Sequence, residues 1–161
     1  MTVALVSCGL SAAAFADSDH EGPVVAVSRM AALVRCDWWA CFDLPIVRTL
    51  VTLGSPGLFT LRATYDSLHR QGCTCDTTIA ETLSCPVDRW TLYTAPAGLV
   101  LAAEVLKASR IDCYGVDMTG TLDVTGGTGE DRSESRWARE RAIWDAVVMW
   151  LSTRGVEVKR I

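Results

Sequence analysis

The sequence predicts an α/β fold, a three-layer sandwich around a mostly parallel sheet of about six strands. Three observations predict it. Short, continuous apolar runs recur at Val3 to Ser7, Val24 to Ser28, Trp38 to Phe42, Leu50 to Leu53, Ile111 to Val116 and Val156 to Ile161. Strands covered on both faces read this way, since neither side of the pleat meets water. Several runs stop at a glycine, a small polar residue or a carboxylate, as in Ser7-Cys8-Gly9-Leu10-Ser11, Phe42-Asp43, Gly54-Ser55-Pro56 and Gly115-Val116-Asp117. The later runs are separated by segments of helical periodicity, and parallel strands need such crossovers.

The connections differ in length. Segments 8 to 23 and 29 to 37 have room for one brief helix or turn each. Segment 57 to 90, with Tyr65, His69, three cysteines and several threonines, has no clear period. A helix is predicted over 97 to 108, where Ala97, Leu101, Ala102, Val105 and Leu106 recur at helical spacing, Pro96 falls in the first turn and Thr94 stands as a cap. A second helix is predicted over 136 to 153. Trp137, Trp144, Val147, Val148 and Leu151 form its stripe, Arg136, Arg139, Arg141 and Asp145 lie mostly off it, and Gly155 stops it. Glu140 shares the inward face with Trp137 and Trp144, which is unusual for a charge without a partner. Segment 119 to 135 is rich in Gly, Thr and acidic residues and reads as a loop over the edge where the Gly115-Val116-Asp117 strand ends, in the position of a lid.

At 161 residues the chain is expected to form one domain, spanning 1 to 161, with a substantial core. A formal charge of −4 and a pI near 5.1 give no general attraction to nucleic acid or to an anionic membrane. No run approaches the roughly 18 apolar residues of a membrane helix. Leu5-Val6-Ser7-Cys8 imitates a lipoprotein cleavage site and Ala14-Phe15-Ala16 a signal-peptidase site, but no basic residue precedes Cys8 and either cleavage would delete the first strand. The seven scattered cysteines fit a reducing compartment, so a cytoplasmic location is expected. Cys73, Cys75 and Cys85, with His69 upstream, lack paired C-x-x-C knuckles and read as free thiols, with no metal site expected.

In a parallel sheet ligands bind beyond the carboxyl ends of the strands. Ser7, Gly9, Ser11, Ser28, Asp43, Thr94 and Asp117 all fall there, and the first six are the candidate residues for holding a cofactor or donor. Small residues let backbone amides approach a phosphate, and a carboxylate at a strand end orients a ribose, holds a cation or acts as a base. Such an aspartate also commonly caps its own turn. Arg132, Arg136 and Glu140, on the loop and first turns of the last helix, are candidates for meeting an anionic group. Arg136 and Glu140 stand four apart, so a surface pair between them competes with that role. The chain has no G-x-G-x-x-G, G-x-x-x-x-G-K-[ST] or G-x-S-x-G, and neither His20 nor His69 lies at a strand end. That disfavours dinucleotide, P-loop and Ser-His-Asp chemistry.

These residues resemble a Rossmann-like group that includes bacterial family-42 sialyltransferases, motility-associated flagellin glycosyltransferases and the archaeal hydroxymethylpterin pyrophosphokinase type. Its members open with a strand and a Gly-rich turn containing Ser, as in Val6-Ser7-Cys8-Gly9-Leu10-Ser11, and continue to a strand ending in Asn, where Ala26-Val27-Ser28-Arg29 stands here. Their Thr-Ser-Gly turn, alanine-rich helix and strand ending Gly-Ile-Asp are matched by Thr94-Ala95-Pro96, Ala97 to Leu106 and Ile111 to Asp117. Arg136-Trp137-x-x-Glu140 followed by Gly155-Val156-Glu157-Val158 is similar to small phage and bacterial single-domain members. The chain departs from the pattern at Ala95-Pro96, at Ser28 and in having no histidine in the 119 to 135 segment.

The resemblance implies a cytoplasmic, glycosyltransferase-like transferase that takes a nucleotide-activated donor, most of all a nucleotide sugar. Asp117 would be the base, and Arg132 or Arg136 would stabilise the leaving phosphate. A triphosphate donor would bring Mg²⁺ to the same carboxylates and make the chain a diphosphotransferase. A non-catalytic protein that sequesters a nucleotide, and an interaction module with a Trp-rich surface, are the readings from other classes. The expected partner is a small-molecule nucleotide, without membrane or general nucleic-acid binding.

Overall fold

The computed structural model describes residues 1–50, 57–72, 75–120 and 133–161. Seven strands form one all-parallel sheet: β1 (Thr2–Val6), β2 (Val24–Val27), β3 (Trp38–Ala40), β4 (Gly57–Thr60), β5 (Thr77–Ile79), β6 (Arg110–Tyr114) and β7 (Glu157–Arg160). Their order is β5-β4-β3-β2-β1-β6-β7. The helices are α1 (Leu44–Leu50), α2 (Arg62–His69), α3 (Thr94–Glu104) and α4 (Glu134–Thr153).

Alternation along the strands sorts side chains into two layers. Val3 and Leu5 of β1, Val25 and Val27 of β2, Ala40, Phe59, Ile111 and Cys113 pack with α3 and with Trp144, Val147 and Leu151 of α4. Nine of the eleven residues of α3 are buried, as expected of a helix apolar all round. On the opposite face Trp39, Cys41 and Leu58 pack with Val47 of α1 and Leu68 of α2. Ala4, Val6, Val24 and Ala26 meet Ala12 and Met30, which belong to two 3-10 turns, Leu10–Phe15 and Ser28–Ala32. The result is a Rossmann-like three-layer sandwich. Trp38 and Trp39 point to opposite faces, as neighbours on a strand must.

The topology positions the site. From β1 the chain steps outward through β2, β3, β4 and β5, then returns through α3 to β6 on the other side of β1. The order therefore reverses between β1 and β6. Loops leaving those two strands part there and open a crevice at their carboxyl ends.

Several expectations are corrected. The sheet has seven strands, close to the six expected, but β4 and β5 both lie in the 57 to 90 stretch without a clear period. Leu50 ends α1, and 51 to 53 lie outside the described residues. A short apolar run reads alike as a strand or as the end of a helix. Thr94 is the first residue of α3, and the cap position belongs to Tyr93, with no side-chain cap bond. Cys75 and Cys85 pack into clusters on opposite faces of the sheet, Cys73 lies outside the described residues, and no metal-ligand cluster occurs among the described residues. No helix among the described residues is long and apolar enough to cross a membrane.

Candidate functional site

The floor of the crevice is made where the loop after β1 meets the loop after β6, and hydrogen bonds join the two loops. Ser7 N donates to Tyr114 O at 2.8 Å and Gly9 N to Gly115 O at 2.8 Å. Ser11 N donates to Asp117 Oδ2 at 3.1 Å, its hydroxyl donates to Asp117 Oδ1, and the same hydroxyl accepts from Gly115 N at 3.1 Å. The approach is close enough to require glycine on both sides. A Cβ on Gly9 would lie 2.5 Å from Gly115 O and 2.6 Å from Asp117 Oδ2, and one on Gly115, at φ 69°, would lie 2.2 Å from Ser7 O.

This zipper changes what the β1 turn does. The amides of Ser7, Gly9 and Ser11 are spent on β6 and are turned away from a phosphate. Ser11, expected against a ligand, is outside the cleft lining and instead holds Asp117. Asp117 does line the cleft, with each oxygen accepting one bond from Ser11. A carboxylate offers about four acceptor positions, so capacity is left on both oxygens.

The cleft has a volume of about 190 Å³ and is lined by six chain segments, one of them the loop from Gly115 to Thr119 after β6. Ser7, Cys8 and Gly9 follow β1, Ser28 and Arg29 follow β2, and Phe42 and Asp43 follow β3. Tyr93, Thr94 and Ala95 form the entry to α3, and Arg136, Trp137 and Glu140 come from α4. Seven expected residues other than Asp117 are therefore gathered here: Ser7, Gly9, Ser28, Asp43, Thr94, Arg136 and Glu140. Arg132 lies outside the described residues.

Ser28 and Met118 both line the cleft with left-handed backbone, at φ 54° and 50°. Non-glycine residues adopt this region at a cost, and surrounding contacts must hold them there. For the end of β2 those contacts are Trp39 Nε1 donating to Ser28 O at 2.6 Å and the Cys8 thiol donating to Val27 O at 3.5 Å.

The α4 wall is more specific. The Arg136 guanidinium lies 5.8 Å from the Tyr93 ring centre and 5.6 Å from that of Trp137, both within cation–π range. Its Nε is buried and has no hydrogen-bond partner among the described residues. Trp137 Nε1 donates to Gly120 O at 3.0 Å, and Arg141 Nη1 donates to Met118 O at 2.9 Å, so α4 is tied to the segment leaving β6. Glu140, 7% exposed, faces inward as its spacing predicted.

The described lining carries Arg29 and Arg136 against Asp43, Asp117 and Glu140, so the carboxylates outnumber the cations by one. A free polyphosphate would meet repulsion here unless a divalent cation came with it. Asp43, exposed at its strand end, and Asp117 both line the cleft, and neither belongs to a metal-ligand cluster among the described residues. Thiol chemistry at Cys41 is disfavoured, since burial pushes that thiol up to about 12.

Sequence reasoning missed Tyr93 and Trp137 as site residues. Tyr93 was hidden in the loop before a helix, and Trp137 was absorbed into an apolar stripe that turns its first member toward the cleft. No protein-family model, curated protein or solved structure matches the chain.

Proposed function

We propose that the protein is a transferase that binds a nucleotide-activated donor, with a nucleotide sugar as the leading class, in the cleft between the β1 and β6 loops. The observation that carries this reading is the position of the cleft at the reversal of strand order, with polar side chains from six segments converging on it. The described walls are too small for a whole nucleotide sugar, so the donor would lie with one end in the cleft and extend over its mouth. Arg136 would stabilise the negative charge that develops on the leaving phosphate, helped by the positive end of α3 at Thr94 and Ala95. Asp43 would meet hydroxyls or a cation. Asp117, oriented by Ser11, and Glu140 would be the carboxylates available to take the acceptor's proton.

A second reading is favoured by a specific observation. Because Ser11 holds Asp117 with one bond to each oxygen and three amides of the β1 turn are bonded to the β6 loop, the cleft would also suit a protein that binds and sequesters a nucleotide without turning it over.

Thermal melts against nucleoside mono-, di- and triphosphates and common nucleotide sugars, with and without Mg²⁺, test the shared premise. Ligand at a hundred times its Kd stabilises by about 2.7 kcal/mol. No shift across the panel would remove both readings. A hit followed by turnover, abolished in Asp117→Asn with binding retained, supports transfer. A hit without turnover on any acceptor supports sequestration.

A further inference from the structure

We propose that Tyr93 and Trp137 are positioning residues that hold Arg136 as the oxyanion-binding group of this cleft. The inference rests on the reading of the cleft as a ligand site and adds which wall meets the ligand's charge. Three features of the structure support it. Three amides of the β1 turn, those of Ser7, Gly9 and Ser11, are bonded to Tyr114, Gly115 and Asp117, so that turn has fewer donors for an anion than a glycine-rich loop. Arg136 lies on the opposite wall, its guanidinium within 6 Å of two aromatic rings that come from different elements, the entry to α3 and the first turns of α4. Its Nε is sealed from water with no partner among the described residues.

A long side chain bound this way loses little further freedom on meeting a ligand. The guanidinium is a planar fork whose geometry matches the oxygens of a phosphate or a carboxylate, and two rings within cation–π range favour keeping its charge at this place. Trp137 also reports on its surroundings. Its Nε1 bonds to Gly120 O, so the indole links Arg136 to the segment that follows β6.

The probes are inorganic phosphate and acetate, read by isothermal titration against the whole chain. Phosphate binding that exceeds acetate binding assigns a phosphate subsite, and the reverse assigns a carboxylate subsite. Arg136→Ala should abolish the preferred probe's binding. Tyr93→Leu and Trp137→Leu should each weaken it about three- to tenfold, the scale of one cation–π contact, while Tyr93→Phe recovers most of that loss. In the Arg136→Ala background the Tyr93→Leu change should have no further effect on nucleotide affinity, because it acts through Arg136.

Equal losses from Tyr93→Leu in both backgrounds would overturn the proposal, as would oxyanion binding that persists in Arg136→Ala or is absent in the parent chain. Failure of the nucleotide reading looks different. Phosphate would bind and follow Arg136, Tyr93 and Trp137 as expected, while no nucleoside or nucleotide bound more tightly than phosphate itself. If Trp137→Leu unfolds the chain, the Tyr93 variants and the double substitution still decide the outcome.

Discussion

Replacing Ser11 with alanine removes the hydroxyl that donates to Asp117 Oδ1 and accepts from Gly115 N at 3.1 Å, while the Ser11 amide keeps its bond to Asp117 Oδ2. A hydrogen bond to a charged partner contributes about 1.5–3 kcal/mol net, and a buried amide left without an acceptor costs about 1–3 kcal/mol. Ser11 and Asp117 are half-buried, so water replaces part of each loss, whereas Gly115 is buried. The expected destabilisation is about 2 kcal/mol. For a chain of 161 residues this corresponds to a fall in Tm of about 4–8 °C. Urea titration followed by far-UV circular dichroism reads the free energy, with an unchanged m value showing that only stability moved. Ser11→Thr retains the hydroxyl and should lose less. A loss below about 0.5 kcal/mol for Ser11→Ala, the size of an ordinary surface substitution, would refute the zipper as a structural link between β1 and β6.

Gly9 in the same loop contact and Cys41 after β3 carry two further outcomes. Gly9→Ala sets a methyl 2.5 Å from a backbone carbonyl that has little freedom to move aside, so about 2–3 kcal/mol should be lost; a urea midpoint close to wild type would contradict the loop contact. At Cys41, burial outweighs the backbone hydrogen bond with Asp43 and pushes the thiol from 9.0 to about 12. The folded state therefore keeps a proton that the unfolded state releases above pH 9, and the stabilisation is complete below that pH and lost as pH rises toward 12. The slope approaches about 1.4 kcal/mol per pH unit. Unfolding free energies at pH 9 and 10 should fall less steeply in Cys41→Ala than in wild type, and equal slopes would count against a buried neutral thiol.

Burial on both faces is what made the central strands legible. Val3 to Val6, Val25 and Ala26 are closed to solvent on either side of the sheet and so read as unbroken apolar runs. β5 is three half-buried residues, Thr77–Ile79, at the sheet edge, where packing demands no apolar run. The site was legible to the extent that strand ends were, which brought Ser7, Ser28, Asp43 and Asp117 to one edge. The direction of each hydrogen bond was not. Nothing in the order Ser7-Cys8-Gly9-Leu10-Ser11 distinguishes amides that face a ligand from amides that face a neighbouring strand. That choice is made by Gly115, whose left-handed backbone brings its carbonyl and amide against the β1 loop.

The direction of those bonds has a consequence for how charge is met in the cleft. In a glycine-rich nucleotide fold the β1 turn presents its amides to the phosphate, and the helix after it adds its dipole. Here a six-residue 3-10 turn follows β1, and the turn's amides close the floor against β6. Polar capacity that would meet a phosphate is used to join two strands across the point where the sheet order reverses. Among the described residues, the positive groups lining the cleft are Arg29, exposed at the rim, and the α3 and α4 wall of Thr94, Ala95 and Arg136. If the cleft takes an anion as proposed, recognition would rest more on side chains than on backbone, and Arg136 would be more decisive than an arginine beside a glycine-rich loop. Under that proposal a phosphate would sit toward the α3 and α4 wall, where no G-x-G-x-x-G is needed to meet it.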